Sequence, residues 1–138
     1  MTDPRRFSIR VRVYYEDTDA GGIVYHASYL RFMERARTDW LRAMGVNHGE
    51  LADRDRVQFV VAEMALKFLR PARLDDLLGV SLEVTEVRRA SLRLVQRVTL
   101  DPGGALLTDA TVRVAVMARE SGRPAPLPQW LHRKLGDS

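Results

Sequence analysis

One hydrophobic pattern constrains the fold of this chain more than any other: a single segment has the period of a helix. Within residues 26–44, apolar residues recur at steps of four, three, four and four, and these are Tyr29, Met33, Ala36, Trp40 and Met44. This spacing places them on one helical face. Ser28 is a predicted N-cap and Gly45 a predicted C-terminal stop, so the sequence predicts one long helix of about five turns.

Five other segments alternate apolar and polar residues, which is typical of β-strands with one buried face. The first precedes the helix and four follow it, at residues 7–15, 57–70, 77–89, 91–100 and 106–119. A DPGG sequence marks a turn between the last two. We expect the four later strands to be joined by short turns as an antiparallel meander, with a short amphipathic segment, PQWLHRKL, near the end of the chain.

A lone amphipathic helix beside five strands can bury its apolar face against the sheet. The sequence therefore predicts an α+β fold in which a five-stranded antiparallel sheet curves around one long central helix. No repeat, linker or low-complexity tract interrupts residues 1–138, which are expected to form a single domain. The other sheet face and the edges still carry apolar groups, so we also expect self-association.

The charge of the chain is positive, but its basic residues are not clustered. The sequence has 22 Lys and Arg against 18 Asp and Glu, a net charge of +4 and a pI of about 9.9. RNA binding is kept as a hypothesis only because of this pI, since a basic cluster with interleaved aromatic residues is missing. There is no cysteine and no apolar run long enough to cross a bilayer. We expect a cytoplasmic protein without a nucleic-acid partner.

The segment YYEDTDAGGIVYH, residues 14–26, gathers three carboxylates and two glycines between the first strand and the helix. Its acidic loop (residues 16–22) has four interpretations: a solvated turn whose charge favours the helix N-terminus, a metal site, a phosphate-binding loop, or a catalytic site. The carboxylates do not follow the EF-hand order, the histidines lack zinc spacing, and no phosphate-binding glycine motif is present. We expect no metal site, and the solvated turn and the catalytic site remain the main alternatives.

The catalytic interpretation begins with the direction of the side chains. If the alternation of the first strand continues into the loop, Asp17 and Asp19 share the inward side with Tyr15. Asp19 then lies closest to the glycines and to the start of the helix. Because the chain has no cysteine and no G-x-S-x-G motif, a carboxylate would have to carry any acyl hydrolysis.

The neighbouring backbone suits a reacting carbonyl group. Gly21 and Gly22 have no side chains, so a substrate carbonyl could approach their backbone closely. Free N–H groups near residues 24–28, at the helix N-terminus, would point at a developing oxyanion. A carboxylate beside such donors is what thioester or ester hydrolysis needs.

Residues 11–42, VRVYYEDTDAGGIVYHASYLRFMERARTDWLR, closely resemble the hotdog-fold acyl-CoA thioesterases of the 4-hydroxybenzoyl-CoA thioesterase type. Within that family they are most similar to the Tol–Pal-associated acyl-CoA thioesterases. The likeness continues through FVV, RPARLDD and SLRLVQRV and fades in the tail. It implies a hotdog fold, in which the sheet wraps the helix, and active sites at the interface of a homodimer or of a homotetramer.

The resemblance also implies roles for individual residues. The second aspartate of the D-T-D motif, Asp19, is implied as the catalytic nucleophile or general base, and His26 as a second catalytic residue beside the thioester. Tyr15 and Gly22 are implied as substrate-binding residues. Two alternatives stay open: His26 as a merely polar residue at the helix start, and Tyr15 as an aromatic core residue. Asp17 either tunes Asp19 or caps the loop.

The implied reaction is hydrolysis of acyl-CoA to coenzyme A and a carboxylic acid, with no separate cofactor because coenzyme A is part of the substrate. The alternative is a non-catalytic hotdog module that binds acyl-CoA or acyl carrier protein, or a scaffold in an envelope-linked complex. Surface basic residues would hold the phosphates of coenzyme A. The candidates are Arg88 and Arg89, followed by Arg70, Arg119, Arg123, Arg133 and Lys134.

Overall fold

Five strands form one antiparallel sheet in a computed structural model of the protein, which describes residues 3–136. The strands are β1 (Arg6–Arg12), β2 (Val57–Phe68), β3 (Leu77–Val87), β4 (Ser91–Asp101) and β5 (Leu106–Ala118). Their order across the sheet is β1–β3–β4–β5–β2. The predicted α+β architecture, with a five-stranded antiparallel sheet and one long helix, is confirmed.

The prediction of a continuous meander is right for β3, β4 and β5 but wrong for β2. This strand pairs with β5 at one edge of the sheet, whereas β3 pairs with β1 at the other. The connection between them, the crossover segment (residues 69–76), bonds to the region of the acidic loop and does not close a hairpin. The Val24 N–H donates to the Ala72 C=O at 2.8 Å, and the Asp75 N–H donates to the Val13 C=O at 3.0 Å. These bonds fix the path of the crossover segment between the two edges of the sheet.

The long helix, α1 (His26–Ala43), buries the face that its spacing predicts. Four residues of the predicted stripe are at most 3% exposed, namely Tyr29, Met33, Ala36 and Trp40. The predicted stop is also confirmed, because Gly45 has a φ of +94° just beyond the helix. The N–H groups of Gly45 and Val46 donate to the C=O groups of Arg42 and Leu41, respectively. This is the Schellman arrangement, which satisfies the last carbonyls of a helix.

The predicted N-cap at Ser28 is wrong. The helix begins at His26, Tyr25 occupies the N-cap position with an extended backbone, and Ser28 lies inside the first turn. Ser28 is fully buried; its hydroxyl donates to the Asp17 C=O at 3.2 Å and accepts a hydrogen bond from the Arg31 guanidinium at 2.8 Å. Because the Tyr25 N–H also donates to the Asp17 C=O, the backbone of the acidic loop is bonded to the start of a helix that has no side-chain cap.

The other helical segments are short. α2 (His48–Glu50) is a single turn that continues into a π-helical turn at Leu51–Asp55, and α3 (Gln129–Leu135) is the predicted amphipathic segment. The indole N–H of Trp130 donates to the Asp55 carboxylate at 3.2 Å, which ties α3 to the π-helical turn. Among residues 3–136, no helix is both long and apolar enough to span a membrane.

A buried amide links α1 to the sheet. Gln96 lies on the inner face of β4 and is fully buried between core positions that the alternation predicted. Its Oε1 accepts a hydrogen bond from the Arg37 guanidinium at 2.8 Å, and its Nε2 donates to the Met33 C=O at 3.1 Å. Because both polar atoms of the amide have partners, Gln96 holds α1 against β4 without an unsatisfied group.

Replacing Gln96 by Leu removes both bonds and leaves the partly buried Arg37 guanidinium without its acceptor. We expect Gln96→Leu to lower the free energy of unfolding by about 1–3 kcal/mol, measured by chemical denaturation. The matched control is the double variant Gln96→Leu with Arg37→Leu, which removes both polar groups and should recover part of the loss. A single variant as stable as the parent protein would contradict this role of Gln96.

Candidate active site

An open cavity of about 460 Å³ lies at the N-terminal end of α1, and we call it the Asp19 cavity. Its volume is within the range of small-molecule sites. The acidic loop, the first turns of α1, the end of β2 and the crossover segment form its walls. The lining residues are Asp19, Ile23, Val24, Tyr25, His26, Tyr29, Phe68, Leu69, Arg70 and Pro71.

Asp19 enters this cavity from a tight turn. Its C=O accepts the Gly22 N–H at 3.0 Å, and its N–H donates to the Ile23 C=O at 2.9 Å. The carboxylate oxygen Oδ1 accepts the Gly21 N–H at 2.8 Å. Asp19 is exposed, and within the described residues its other carboxylate oxygen has no protein donor. The loop therefore orients the carboxylate and leaves it accessible to a ligand.

Glycine is needed at positions 21 and 22 for different structural reasons. Gly22 has a φ of +78°, in the left-handed region that residues with a side chain rarely adopt. Gly21 lies outside that region, but a Cβ at this position would be 3.3 Å from Asp19 Oδ1. Glycine is thus required at 22 by the turn, whereas at 21 it leaves room for the carboxylate.

Asp17 stabilises the acidic loop from within. It is 9% exposed, and its Oδ2 accepts the Tyr14 N–H at 2.9 Å. Its C=O accepts hydrogen bonds from the Tyr25 N–H at 2.9 Å and from the Ser28 hydroxyl at 3.2 Å. Asp17 is not among the residues that line the Asp19 cavity. Of its two predicted roles, capping of the loop is the one with direct contacts.

The predicted side-chain directions in this loop are wrong. β1 ends at Arg12, and Tyr15–Asp17 form a 3-10 turn, so the alternation of the strand does not continue to Asp19. Tyr15 is 82% exposed, and Asp17 is buried while Asp19 is exposed. The interpretation of Tyr15 as a core residue is therefore wrong for this chain, and its substrate-binding role stays a prediction.

Fewer backbone N–H groups are free at the helix N-terminus than the prediction for residues 24–28 implied. The N–H of Val24 donates to Ala72, that of Tyr25 to Asp17, and that of Ser28 to Tyr25. Among the described residues, the N–H groups of the next two positions, His26 and Ala27, have no acceptor. These are the unpaired donors that the start of a helix leaves, and they carry its partial positive charge.

The ring of His26 lies in an aromatic environment at the wall of the cavity. Its centroid is 4.4 Å from that of Tyr25 and 6.5 Å from that of Phe68, the last residue of β2. His26 is nevertheless exposed. The imidazole is thus close to two aromatic rings and still accessible to solvent.

Tyr29 holds the crossover segment against α1. It is 3% exposed, and its hydroxyl oxygen accepts the Ala72 N–H at 3.0 Å. Burial raises the pKa of Tyr29 above its ordinary value, so the phenol stays protonated. The sequence placed Tyr29 on the buried face of the helix but contained no signal for its partner, which is 43 positions away.

A second cavity, of about 400 Å³, lies further along α1 between that helix and β2. One side carries polar groups from α1 and α2; His48 Nε2 is 3.4 Å from Thr38 Oγ1, and burial lowers the pKa of both His48 and Arg37. The other side is apolar. Its lining residues include Phe59, Val60, Val61, Leu92, Leu94 and Val114.

The structure brings Asp19 and His26 together in one cavity, whereas Tyr15 and Gly22 are not among its lining residues. Their substrate-binding roles stay predictions. The sequence did not predict the contribution of Phe68 and Leu69, which it assigned only to a strand end. In the described part of the chain, no group of three or more acidic or histidine side chains is arranged to hold a metal ion.

The left-handed backbone at Gly22 leads to a stability prediction. We expect Gly22→Ala to lower the free energy of unfolding by about 1–2 kcal/mol, because a Cβ is strained at positive φ. Thermal and chemical denaturation would measure this difference. Gly21→Ala is the matched control, since its backbone is outside the left-handed region. Equal stability of the two variants would contradict the argument.

Comparison with known proteins identifies the family of this chain. The model of the thioesterase-like superfamily matches residues 13–135. An acyl-CoA thioesterase YbgC of Haemophilus influenzae is 45% identical over 123 residues, which cover 89% of each chain. An acyl-CoA thioester hydrolase YbgC of Escherichia coli is 46% identical over 119 residues, which cover 86% of this chain and 87% of that protein.

A solved structure from the same class of enzymes has a similar fold. A probable thioesterase from Bartonella henselae superposes with a TM-score of 0.83 at 36% identity, over 89% of this chain and 99% of its own. The resemblance to acyl-CoA thioesterases and the predicted hotdog fold are thereby confirmed, while the association with a Tol–Pal complex stays a prediction. The chain belongs to the thioesterase-like superfamily of hotdog-fold proteins.

Proposed function

We propose that this protein hydrolyses acyl-CoA thioesters to coenzyme A and a carboxylic acid. The observation that carries the proposal is one cavity lined both by an accessible carboxylate, Asp19, and by His26, the first residue of α1. Among the described residues, the N–H groups of His26 and of Ala27 beside it have no acceptor. The two relatives at 45% and 46% identity, which are named as acyl-CoA thioester hydrolases, support the substrate class. Coenzyme A is part of the substrate, so the reaction needs no separate cofactor.

Asp19 acts in the first step, either as a nucleophile or as a general base. As a nucleophile its carboxylate attacks the thioester carbonyl carbon, and as a general base it removes a proton from a water that attacks the same atom. The C–S bond then breaks, and the coenzyme A thiolate leaves and takes up a proton. In the nucleophilic route, a water finally hydrolyses the anhydride formed on Asp19. Both routes need Asp19 ionised.

The start of α1 stabilises the charge that develops on the carbonyl oxygen. The N–H groups of His26 and Ala27 donate to this oxygen, and the helix dipole adds a favourable potential. The His26 side chain, at the wall of the same cavity, protonates the leaving thiolate. Backbone donors suit this task because they are fixed before the reaction and need little reorganisation.

Asp19→Asn is the direct test of this mechanism. Asn keeps an oxygen that can accept the Gly21 N–H, so the loop should retain its shape, but it can neither attack nor take up a proton. We expect the rate of free-thiol release from acyl-CoA to fall by about a hundredfold or more. A panel of short, long and aromatic acyl-CoAs would measure activity and substrate class together.

The matched control is Glu16→Gln, which removes an exposed carboxylate from the same loop outside the cavity. Its activity should stay close to that of the parent protein. Full activity of a folded Asp19→Asn variant would refute the role of Asp19.

We further infer that the working enzyme is at least a homodimer, joined through β2. Within residues 3–136 this strand is a sheet edge with one unpaired side, and Val60, Val61 and Phe68 on it are 38%, 41% and 51% exposed. An exposed apolar edge of this kind is a template for pairing with another strand. A two-fold axis would pair two copies of β2 in antiparallel orientation.

This pairing would place each active site at the interface. The Asp19 cavity borders the end of β2 at Phe68, whereas the second cavity borders its beginning at Phe59–Val61. Because the two strands run in opposite directions, the Asp19 cavity of one subunit would lie beside the second cavity of its partner. The apolar wall of that second cavity suits an acyl group that extends beyond the thioester.

A charge on the β2 edge tests this arrangement. Val61→Asp should be tolerated in the single chain, because Val61 is already 41% exposed, but it would place a desolvated charge in the interface. We expect dimer dissociation and loss of activity at the same protein concentrations, measured by light scattering and by thiol release. Ser8→Asp puts the same charge on β1, at the opposite edge, and should change neither. A monomeric variant with full activity would show that the site is complete in one chain.

A further inference from the structure

The imidazole of His26 has no polar protein group to orient it. Among residues 3–136, neither of its ring nitrogens makes a hydrogen bond, although His26 lines the same cavity as Asp19. In sites where a histidine moves a proton, a carboxylate or a carbonyl group typically holds one ring nitrogen and so fixes the direction of the other. Here two aromatic rings, those of Tyr25 and Phe68, lie beside the imidazole instead.

The two rings differ in how firmly the structure holds them. Tyr25 precedes His26 in the chain and is 47% exposed, so its ring gives the imidazole no reference outside its own segment. Phe68 belongs to another element, the end of β2, and its backbone is paired with β5. The next N–H group, that of Leu69, donates to the Leu107 C=O at 2.8 Å. The backbone of Phe68 is therefore fixed to the sheet.

The ring of Phe68 is held as well. Its centroid lies 5.6 Å from that of Tyr29, which is 3% exposed and whose hydroxyl accepts the Ala72 N–H at 3.0 Å. The Tyr29 ring in turn packs edge-to-face with that of Phe32, which is 1% exposed. A line of ring contacts therefore runs from the buried core through Phe68 to His26.

The contact between Phe68 and His26 has a favourable geometry. Their planes are inclined at 73° and their centroids are 6.5 Å apart, an edge-to-face arrangement within the range that aromatic pairs prefer. Phe68 is nevertheless 51% exposed, which is high for a large apolar residue. Burial in the single chain therefore does not account for an aromatic ring at this position.

We propose that Phe68 is a positioning residue that holds the imidazole of His26 towards the leaving group. The inference rests on the proposed function, because it explains how His26 can protonate the coenzyme A thiolate without an orienting carboxylate. The proton passes from a ring nitrogen of the imidazolium to the sulfur, and the neutral His26 recovers a proton from solvent. A free imidazole samples several staggered rotamers. An anchored ring beside it selects among them before the substrate binds, which lowers the entropic cost of the transfer.

A double-mutant cycle tests whether Phe68 acts through His26. Phe68→Leu keeps an apolar side chain but removes the ring, and we expect kcat for an acyl-CoA to fall about tenfold with little change in KM. Added to His26→Gln, the same change should cause no further loss, because the group that Phe68 positions is already missing. Phe68→Tyr keeps the ring and should restore activity. Tyr14→Leu is the matched control, since Tyr14 is 63% exposed and does not line the cavity.

The leaving group provides a readout that a general loss of structure would not change. Two thioesters of the same acyl group are compared, one on N-acetylcysteamine, which is an alkyl thiol, and one on thiophenol. Thiophenolate is a weaker base and can leave without a proton, so the position of His26 should matter little for it. We expect Phe68→Leu to slow hydrolysis of the alkyl thioester about tenfold and that of the aryl thioester less than about twofold. Light scattering should give the variant the mass of the parent protein, which excludes a change in association through β2.

The position of the imidazole can be measured without any substrate. The chain has three histidines, so the ring protons of His26 can be assigned in NMR spectra of the full chain by comparison with His26→Gln. In Phe68→Leu these signals should lose the ring-current shift from Phe68 and move towards those of a freely rotating imidazole. In Phe68→Tyr they should stay close to their positions in the parent protein.

Three results would overturn the assignment: unchanged His26 ring signals in Phe68→Leu, an equal loss for the alkyl and the aryl thioester, or additive effects of Phe68→Leu and His26→Gln. These outcomes are separate from a failure of the proposed function. If no thioester is hydrolysed but the His26 signals depend on Phe68, the hydrolase proposal falls and the positioning contact stands. If Phe68→Leu and the parent protein hydrolyse acyl-CoA equally well, only the role of Phe68 falls.

Discussion

The candidate site depends on the way the crossover segment is bonded to the start of the helix. At Ala72, the N–H donates to the buried Tyr29 hydroxyl and the C=O accepts the Val24 N–H. These two bonds hold together three parts of the chain: the exit from the acidic loop, the first turns of α1 and the connection from β2 to β3. The Asp19 cavity lies where these parts meet. Without this junction, Asp19 and Phe68 would belong to separate surfaces.

The regular elements could be predicted because each has its own hydrophobic period. The helical stripe from Tyr29 to Trp40 and the inward residues of β3 and β5 lie where the periods place them. The position of β2 could not be predicted in this way, because a strand at a sheet edge and one inside a meander alternate identically. Ser28 failed as an N-cap for a related reason: its hydroxyl bonds to the Asp17 C=O, and no local pattern reveals a partner outside the helix.

The site was predictable to the extent that it is local in sequence. Asp19 and His26 are seven positions apart by their numbering, and both line the same cavity. Strand alternation misplaced Tyr15 because the chain turns into a 3-10 helix before it reaches the motif. Arg70 was one of seven basic candidates for phosphate binding in the sequence. It is the one of the seven that lines the Asp19 cavity, because long-range bonds set the path of the crossover segment.

The strand order also determines which part of the molecule is assembled last. β3, β4 and β5 are joined by short turns and close small loops, whereas β1 pairs with residues 77–83 and β2 pairs with residues 108–118 across long stretches of chain. Loop closure is entropically easier for the first group, so the hairpins of β3–β5 are the natural nucleus of folding. The Asp19 cavity combines the segment before α1 with the end of β2, both outside that nucleus. Hydrolytic activity would consequently appear only when the slowest, most non-local contacts have formed.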